Sequence, residues 1–486
     1  MTDTTPFALL VLLVAGAGLL AVLSNRLTER LKVPSPALFL VGAAVAVQLV
    51  PALHHPPERV VERIVTVALL CILFDGGLHI GWARFRPAAA PIAVVGVLGT
   101  FLTTAALATL AHLAFGLSWY LAVLLGTALA PTDPAVVFSV LGSREISGRS
   151  GTVLEGESGA NDPVGIALMA SLLAAGGLGA RAFAGVGVEF VLQMGIGAAF
   201  GIAGGRLLLG FLRRVALPSE ALHPLRTLAS ALVLYGVTTL AHGSGFLAVF
   251  VAGISLGDAR APYKREVERF HSALASLAEI VAFVVLGLTV DLQVLARSDV
   301  WVPGLVLFVA LAVVVRPVLV GLCLVPAGLR RNERTFVLLA GLKGAVPILL
   351  GSLVLAAHVP GAERLYGIVV VAVVLSVVVQ GSLVPVAAQR LRLPMRTVEP
   401  DPWALGVRLR EEPEGVQRLT ITEGAPADGC TVAALPSDAW VSFVVRDREL
   451  VAVRGDTTLR AGDEVLVLAE DDVRDRLVQI FEGPAG

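Results

Sequence analysis

The chain has 486 residues, of which 56% are hydrophobic and only 15% charged, and its formal net charge is −1. So apolar a composition excludes an ordinary soluble globular protein and predicts a polytopic membrane protein. The three cysteines lie far apart in the sequence, which excludes a disulfide framework and a cysteine metal cluster.

Apolar runs of about 20 residues recur along the chain, and an α-helix needs this length to cross a membrane. No Lys or Arg precedes Arg26, so the first run lacks the basic region of a cleaved signal peptide and is predicted to be retained. We predict about thirteen transmembrane helices, near 7–24, 36–53, 60–80, 88–114, 119–141, 152–178, 184–212, 225–241, 244–257, 272–295, 301–325, 335–357 and 365–388.

Positive charge predicts the orientation of these helices. One set of alternate loops carries 21 Lys and Arg residues, whereas the other set carries 5. Cytoplasmic loops are enriched in Lys and Arg, so the C-terminus is predicted to be cytoplasmic and the N-terminus outside. The predicted location is the inner (plasma) membrane.

The composition changes near Val398, and the segment that follows holds 18 acids and 9 arginines. The segments "QRLTIT", "WVSFVV", "LVAVRG" and "EVLVLA" predict short strands, and "DDVRDRLVQIFEG" predicts an amphipathic helix. We therefore predict a transmembrane domain over 1–397 and a small α+β cytoplasmic domain over 398–486. Its acidic charge argues against nucleic-acid binding.

The fifth predicted span contains "APTDP" at its centre, where Pro131 and Pro134 prevent continuous helical hydrogen bonding. Unwound backbone is tolerated at membrane depth only where it is buried in protein or lines a cavity. The freed carbonyls and the Thr132 hydroxyl are predicted oxygen ligands for a cation. Asp133 can offset the positive N-terminal ends of the half-helices.

The sixth predicted span opens with "LEGESGANDPVG". Glu157 and Asn161 are four residues apart, as are Ser158 and Asp162, so all four side chains share one helical face. Such a face cannot contact lipid and must point into the bundle or a wet cavity.

The twelfth predicted span, "LAGLKGAVPILLG", is interrupted around Lys343 by Gly341, Gly344 and Pro347. It stands seven spans after the fifth, so the two broken helices run in opposite directions. Paired interrupted helices in inverted repeats indicate a transporter site near the membrane midplane. The eleventh span contains Arg316, for which the matching fourth span offers no acid.

These oxygen-rich groups favour a hard monovalent cation over an organic substrate, because only 6% of the residues are aromatic. Asp162 is the predicted carrier. Burial disfavours the charged form of a carboxylate, so a proton and a cation can compete for the same oxygen atoms. Its neighbour Asn161 is neutral, which predicts a single exchanging carboxylate and an electroneutral 1:1 exchange. The sequence thus predicts a transporter rather than an enzyme, with no cofactor.

The motifs "PTDP", "GESGANDP", "ILFDGGL" and "GLKGAVPI" resemble those of monovalent cation:proton antiporters of the NhaP type, over roughly residues 7–390. The resemblance implies K+ or Na+ exchange for H+ by a homodimer, each protomer having a dimerisation domain and a mobile six-helix core. It assigns Asp162, Thr132, Ser158 and Asp75 to the ion site, and Asn161, Asp133, Glu157 and Lys343 to organising it.

The resemblance further implies that Glu157 pairs with Lys343. The chain departs from the family at two positions. The family usually has Arg where this chain has Lys343, and Glu where it has Asp75. A Lys cannot reproduce the two-pronged fork of an Arg. Asp75 is one methylene shorter than a Glu.

The tail, with "LRAGDEVLVLAEDD", resembles the TrkA-C or RCK-C ligand-sensing domain of potassium-transport regulators. This resemblance implies regulation by a small molecule such as a nucleotide, and it favours potassium. Three further interpretations remain open: a solubilising or assembly role for the tail, a gated cation channel with a regulatory tail, and a proton-coupled carrier of an organic solute.

Overall fold

The chain divides into two compact units, Met1–Pro400 and Asp401–Gly486. The computed structural model describes residues 34–49, 57–141, 144–146, 149–215, 217–259, 261–393, 395–397, 416–435, 440–446, 449–468 and 474–483. The first predicted span, 7–24, lies outside the described residues, so the total of thirteen spans stays a prediction.

The first half of the larger unit is helical apart from one short strand. Its elements are α1 (Ser35–Leu49), α2 (Glu58–Ala93), a π-helical segment (Val94–Gly99), α3 (Thr100–Phe115), α4 (Trp119–Leu129), α5 (Ala135–Leu141), β1 (Arg144–Ile146), α6 (Arg149–Ala175), α7 (Ala180–Arg214) and α8 (Leu222–Leu240).

The second half continues with helices and ends in a strand. Its elements are α9 (Gly245–Gly257), α10 (Lys264–Leu288), α11 (Leu292–Leu295), α12 (Ser298–Ala310), a π-helical segment (Leu311–Val320), α13 (Gly321–Cys323), a 3₁₀ turn (Val325–Ala327), α14 (Arg331–Leu339), α15 (Ala345–Ala356), α16 (Ala362–Leu375), a π-helical segment (Ser376–Gln380), α17 (Gly381–Arg390) and β2 (Met395–Thr397).

Five helical stretches in the described part of the chain are long and apolar enough to cross a membrane. They are Arg59–Phe115, Ala184–Arg214, Lys264–Leu288, Ser298–Cys323 and Ala362–Arg390. Most buried apolar residues of this unit form one continuous core. The prediction of a helical, polytopic membrane part is confirmed.

The third and fourth predicted spans are joined by a kink rather than a loop. The kink lies at Gly81, whose φ of 62° is accessible to glycine at little cost. The Asp258 carboxylate accepts a hydrogen bond from the Ala83 backbone N–H just beyond the kink. Asp258 directly follows α9 and so caps the second half of α2.

Both predicted helix interruptions are present. The fifth predicted span is divided into α4 and α5, and the twelfth into α14 and α15. The two breaks meet, because the Asp133 backbone N–H donates to the Leu342 carbonyl over 2.9 Å. The prediction of two interrupted, crossing helices is confirmed, whereas the inverted repeat stays a prediction.

The larger unit contains a two-stranded ribbon that is not predicted from the sequence. Strand β1 pairs antiparallel with β2, and Glu145 lies opposite Arg396. The ribbon ties the chain just after α5 to the chain that follows α17. Residues 144–146 and 395–397 are therefore joined across about 250 residues of sequence.

The smaller unit is a four-stranded antiparallel sheet with one helix. Its elements are β3 (Val416–Thr420), a 3₁₀ turn (Val432–Ala434), β4 (Trp440–Arg446), β5 (Glu449–Val451), β6 (Glu464–Leu468) and α18 (Arg474–Phe481), in the strand order β3-β6-β4-β5. Leu477 and Phe481 of α18 are buried in a core of its own. The predicted α+β character is confirmed.

Candidate functional site

Helix α6 carries the central polar face of the larger unit. Glu157, Ser158, Asn161 and Asp162 are all buried, each less than 5% exposed. The helix runs through Pro163, whose missing N–H frees the carbonyl one turn earlier. A buried face of this kind needs partners from other helices, and the two breaks supply several of them.

Asn161 holds the unwound segment between α4 and α5. Its Nδ2 donates to Thr132 Oγ1 over 2.7 Å, and its Oδ1 accepts from the Thr132 N–H over 3.4 Å. The Thr132 hydroxyl in turn donates to Glu157 Oε1 over 3.4 Å. These hydrogen bonds fix residue 132 against α6 although it belongs to no helix.

Asp162 has an incompletely satisfied carboxylate. It is 4% exposed, and its Oδ2 accepts one hydrogen bond from Ser158 Oγ over 3.3 Å. Its Oδ1 is buried and has no hydrogen-bond partner among the described residues. A buried carboxylate oxygen without a donor is costly unless a proton or a cation satisfies it.

Glu157 pairs with Arg316 rather than with Lys343. The Arg316 guanidinium contacts both carboxylate oxygens of Glu157, at 2.7 Å from Nη1 and 3.0 Å from Nη2. The implied pairing of Glu157 with Lys343 is therefore wrong. Arg316 supplies the planar fork that matches a carboxylate, which a Lys cannot do.

Lys343 instead binds the end of α4. Its Nζ donates to the carbonyls of Ala130 and Pro131, both over 2.8 Å, while its backbone N–H donates to Ser376 Oγ. Two of the freed carbonyls that were predicted to bind a cation therefore accept hydrogen bonds from an ammonium group. The fifth span is stabilised by a lysine from the twelfth.

Asp133 lies against the start of α15. Gly344 is the N-cap residue of that helix, and a Cβ added there would clash with the Asp133 carboxylate. The glycine therefore leaves room for the carboxylate at the positive end of the helix dipole. Gly341 likewise leaves room for Arg316, because a Cβ at residue 341 would overlap the Arg316 guanidinium.

Charges of the expected sign thus lie at three ends of the broken helices. Lys343 binds carbonyls at the C-terminal end of α4, and Arg316 binds the Val337 and Leu338 carbonyls at the C-terminal end of α14. Asp133 adjoins the N-terminal end of α15. Each charge opposes the partial charge of its helix end and so stabilises the break.

Asp75 lies apart from this cluster. Its Oδ1 accepts from Ser272 Oγ of α10 over 3.0 Å, and its Oδ2 lies 3.3 Å from Nδ1 of His79. Within the described residues it makes no hydrogen bond to Asp162, Thr132 or Ser158. Seven of the eight predicted site residues therefore lie on α6 or at the two helix breaks that meet beside it. The eighth, Asp75, does not.

Arg316 contacts the site residues, although its partner is not predictable from the sequence. The sequence identifies it as a cation at membrane depth, and the matching fourth span offers no acid. The carboxylate comes instead from the sixth span, 159 residues away. Sequence spacing within a helix does not reveal contacts between helices, so only the presence of one buried Arg and one buried Glu could have indicated the pair.

The chain resembles known transporters over most of its length. It is 33% identical over 472 residues to the K(+)/H(+) antiporter NhaP of Alkalimonas amylolytica, a match that covers 95% of this chain and 81% of that protein. The K(+)/H(+) antiporter NhaP2 of Shewanella oneidensis is 30% identical with the same coverage. The Na(+)/H(+) antiporter ApNhaP of Aphanothece halophytica is 26% identical over 73% of this chain and 69% of that protein.

The fold has a solved counterpart. The sodium proton antiporter MjNhaP1 from Methanocaldococcus jannaschii aligns with a TM-score of 0.66 at 22% identity, covering 79% of this chain and 99% of that one. Residues 416–482 match the TrkA-C domain. Residues 16–390 match the model of the sodium/hydrogen exchanger transmembrane family. Since this match spans more than half of its residues, the chain belongs to the sodium/hydrogen exchanger family.

Proposed function

We propose that this protein exchanges a monovalent cation for protons across a membrane, with Asp162 as the carrier. The observation that carries the proposal is the buried Asp162 Oδ1, which has no hydrogen-bond partner among the described residues. Either a proton or a dehydrated cation satisfies this oxygen. The family and the K(+)/H(+) relatives support the exchange, and they favour potassium.

The charges around Asp162 support a 1:1 electroneutral stoichiometry. Glu157 is balanced by Arg316, and Lys343 and Asp133 contribute one charge of each sign at the two breaks, which meet through the Asp133 N–H and the Leu342 carbonyl. When all five groups are ionised, Asp162 leaves one net negative charge. One proton or one monovalent cation neutralises it, so the loaded site carries no net charge in either direction of transport.

Thr132 and Ser158 are the proposed additional cation ligands. The Ser158 hydroxyl already faces Asp162, and the Thr132 hydroxyl is fixed by Asn161. Asp75 joins them only if the part of α2 before the Gly81 kink approaches Asp162 during the transport cycle. That movement agrees with alternating access, in which the mobile core slides against the helices that carry Asp75.

The remaining assignments follow from the family and the tail. We assign 1–397 to transport and 398–486 to regulation by a cytoplasmic small molecule such as a nucleotide. The match of 416–482 to the TrkA-C domain supports this division. We further propose a homodimer in the inner membrane, with the N-terminus outside.

Reconstituted protein tests the proposal. Proteoliposomes that carry an outward or inward K+ or Na+ gradient should develop a pH gradient with no net current. The Asp162→Asn variant should develop no pH gradient. Ohmic current would indicate a channel. Cation gradients that move no protons would favour an organic-solute carrier. Full exchange by a correctly folded Asp162→Asn variant would contradict the site assignment.

A further inference from the structure

The backbone that leaves α17 toward the tail is held in a defined turn. The Leu393 N–H donates to the Ala388 carbonyl over 3.2 Å. The Arg392 N–H donates to the Gln389 carbonyl over 3.1 Å, and the two bonds together form a Schellman motif. Leu393 is 6% exposed and belongs to the core of the larger unit. Arg392 adopts a φ of 51°, which is unfavourable for a residue with a Cβ. A connection that only spans two domains needs neither the buried side chain nor the strained turn.

The same segment is bonded to both broken helices. Strand β2 pairs with β1, which begins three residues after α5 ends at Leu141. Asn332, in the first turn of α14, donates from its Nδ2 to the Leu391 carbonyl over 3.1 Å. Helix α17 also packs against α5 and α14. Residues 391–397, which we call the anchor segment, are thus tied to the ends of α5 and α14 that lie away from the breaks.

Each of these two helices is short and has its other end at a break. Helix α5 has 7 residues and α14 has 9, which correspond to about 10 Å and about 13 Å of helix. The breaks are joined to each other, since the Asp133 N–H donates to the Leu342 carbonyl. The first break is joined to α6 by the bonds between Thr132 and Asn161. A continuous path of backbone and hydrogen bonds therefore runs from the anchor segment to the residue next to Asp162.

We propose that the anchor segment couples the tail to the ion site. The tail follows β2 closely, because the boundary between the two units lies after Pro400. A short helix moves as a rigid body, so a displacement of β2 moves α5 and with it the first break. The inference rests on the proposed function, to which it adds the route by which the tail acts. Coupling is reciprocal, so cation binding at Asp162 must in turn change the anchor segment and the tail.

Hydrogen exchange of the full chain in detergent, with and without K+, tests the proposal. Choline replaces K+ in the control for ionic strength. Saturating K+ should change the exchange rates of the amides at 395–397 and 416–420 about fivefold or more in the wild type. The Asp162→Asn variant should show no such change. Proton release on addition of K+ is measured in parallel, so that cation binding is known for every variant.

Two substitutions in β2 interrupt the route. Successive N–H groups of a strand alternate between the partner strand and the opposite edge, so Arg396→Pro/Thr397→Pro removes one donor of the ribbon whichever of the two faces β1. This variant should release protons on K+ binding as the wild type does, but lose the response at 416–420. The matched control is Arg396→Ala/Thr397→Ala, which keeps both N–H groups and should keep the response.

Asn332→Ala tests the second attachment without a proline. It should reduce the response at 416–420, whereas Thr335→Ala, which loses only a bond to Arg331 of the same helix, should not. Size-exclusion profiles in detergent report the folding of each variant, and this pair carries the test if the proline variant does not fold.

Two results would overturn the proposal. One is proton release on K+ binding without any response of the tail in the wild type. The other is an undiminished response in the folded proline variant or in folded Asn332→Ala. If K+ releases no proton from the wild type, the proposed function itself is contradicted, whatever the tail does.

Discussion

Arg316 makes four hydrogen bonds, two to the Glu157 carboxylate and one each to the carbonyls of Val337 and Leu338. One planar side chain therefore neutralises a buried acid and satisfies the end of α14. All three of its guanidinium nitrogens donate, in a geometry that only a guanidinium offers.

Removal of either partner of this pair should be strongly destabilising. Arg316→Ala and Glu157→Ala each leave an uncompensated buried charge, which costs about 3–5 kcal/mol of stability. The double variant should lose less than the sum of the two, because no buried charge then remains. Thermal unfolding in detergent measures the three variants.

The exposed Arg297–Asp299 pair is the control, since ion pairs at the surface contribute little. Arg297→Ala should leave the melting temperature nearly unchanged. If the loss of stability in the double variant equals the sum of the losses in Arg316→Ala and Glu157→Ala, the pairing is contradicted.

Gly344 should not tolerate a side chain. In Gly344→Ala the new Cβ would overlap the Asp133 carboxylate, so the two breaks must separate and cation exchange should fall at least about tenfold. Gly236→Ala is the matched control, because the space around Gly236 is open. It should keep its activity and gain a few tenths to about 1 kcal/mol of stability. Wild-type exchange rates in Gly344→Ala would refute this packing argument.

At the scale of the element, the breaks in the fifth and twelfth spans were predictable because Pro131, Pro134, Gly341 and Gly344 leave local marks in the sequence. The kink at Gly81 and the cap that Asp258 provides were not, because the cap joins residues 175 apart. The face of α6 was readable from spacing alone. Its partner Arg316 was not, since helix packing decides which faces meet.

The capped kink in α2 gives a prediction at this scale. Asp258→Ala removes the acceptor for the Ala83 N–H and should cost about 1 kcal/mol, the usual loss for a helix cap. Asp258→Asn keeps an acceptor oxygen and should remain close to the wild type. Hydrogen exchange at residues 82–85 should accelerate in the Ala variant only. Equal exchange in both variants would show that the carboxylate does not cap the helix.

At the scale of the whole molecule, composition alone separated the apolar unit from the acidic tail. The four strands and the helix of the tail were predictable from alternation and turn residues, because each is a local pattern. Within "RAGDEV", the Asp463 carboxylate accepts hydrogen bonds from Arg446 Nε over 2.8 Å and from Nη2 over 2.7 Å. Gly462 in the same segment adopts a φ of 86°. The β1–β2 ribbon was not predictable, because three-residue strands carry too little signal.

Removal of the tail should separate transport from regulation. A chain that ends at residue 398 should insert and exchange cations for protons, since the described site contacts all lie before that residue. The pH dependence of the exchange rate, or the response of that rate to small cytoplasmic ligands, should change. Exchange and membrane insertion are measured together in proteoliposomes and by membrane fractionation. Loss of exchange despite normal insertion would contradict a purely regulatory role.

The central claim is that Asp162 holds either a proton or a cation, and proton release on cation binding tests it most directly. K+ is titrated into weakly buffered, detergent-purified protein at the pH of half-maximal exchange, with a pH indicator present. Each bound cation should release up to about one proton in the wild type, and none in Asp162→Asn. Cation binding without proton release in the wild type, or equal release in both proteins, would contradict the account.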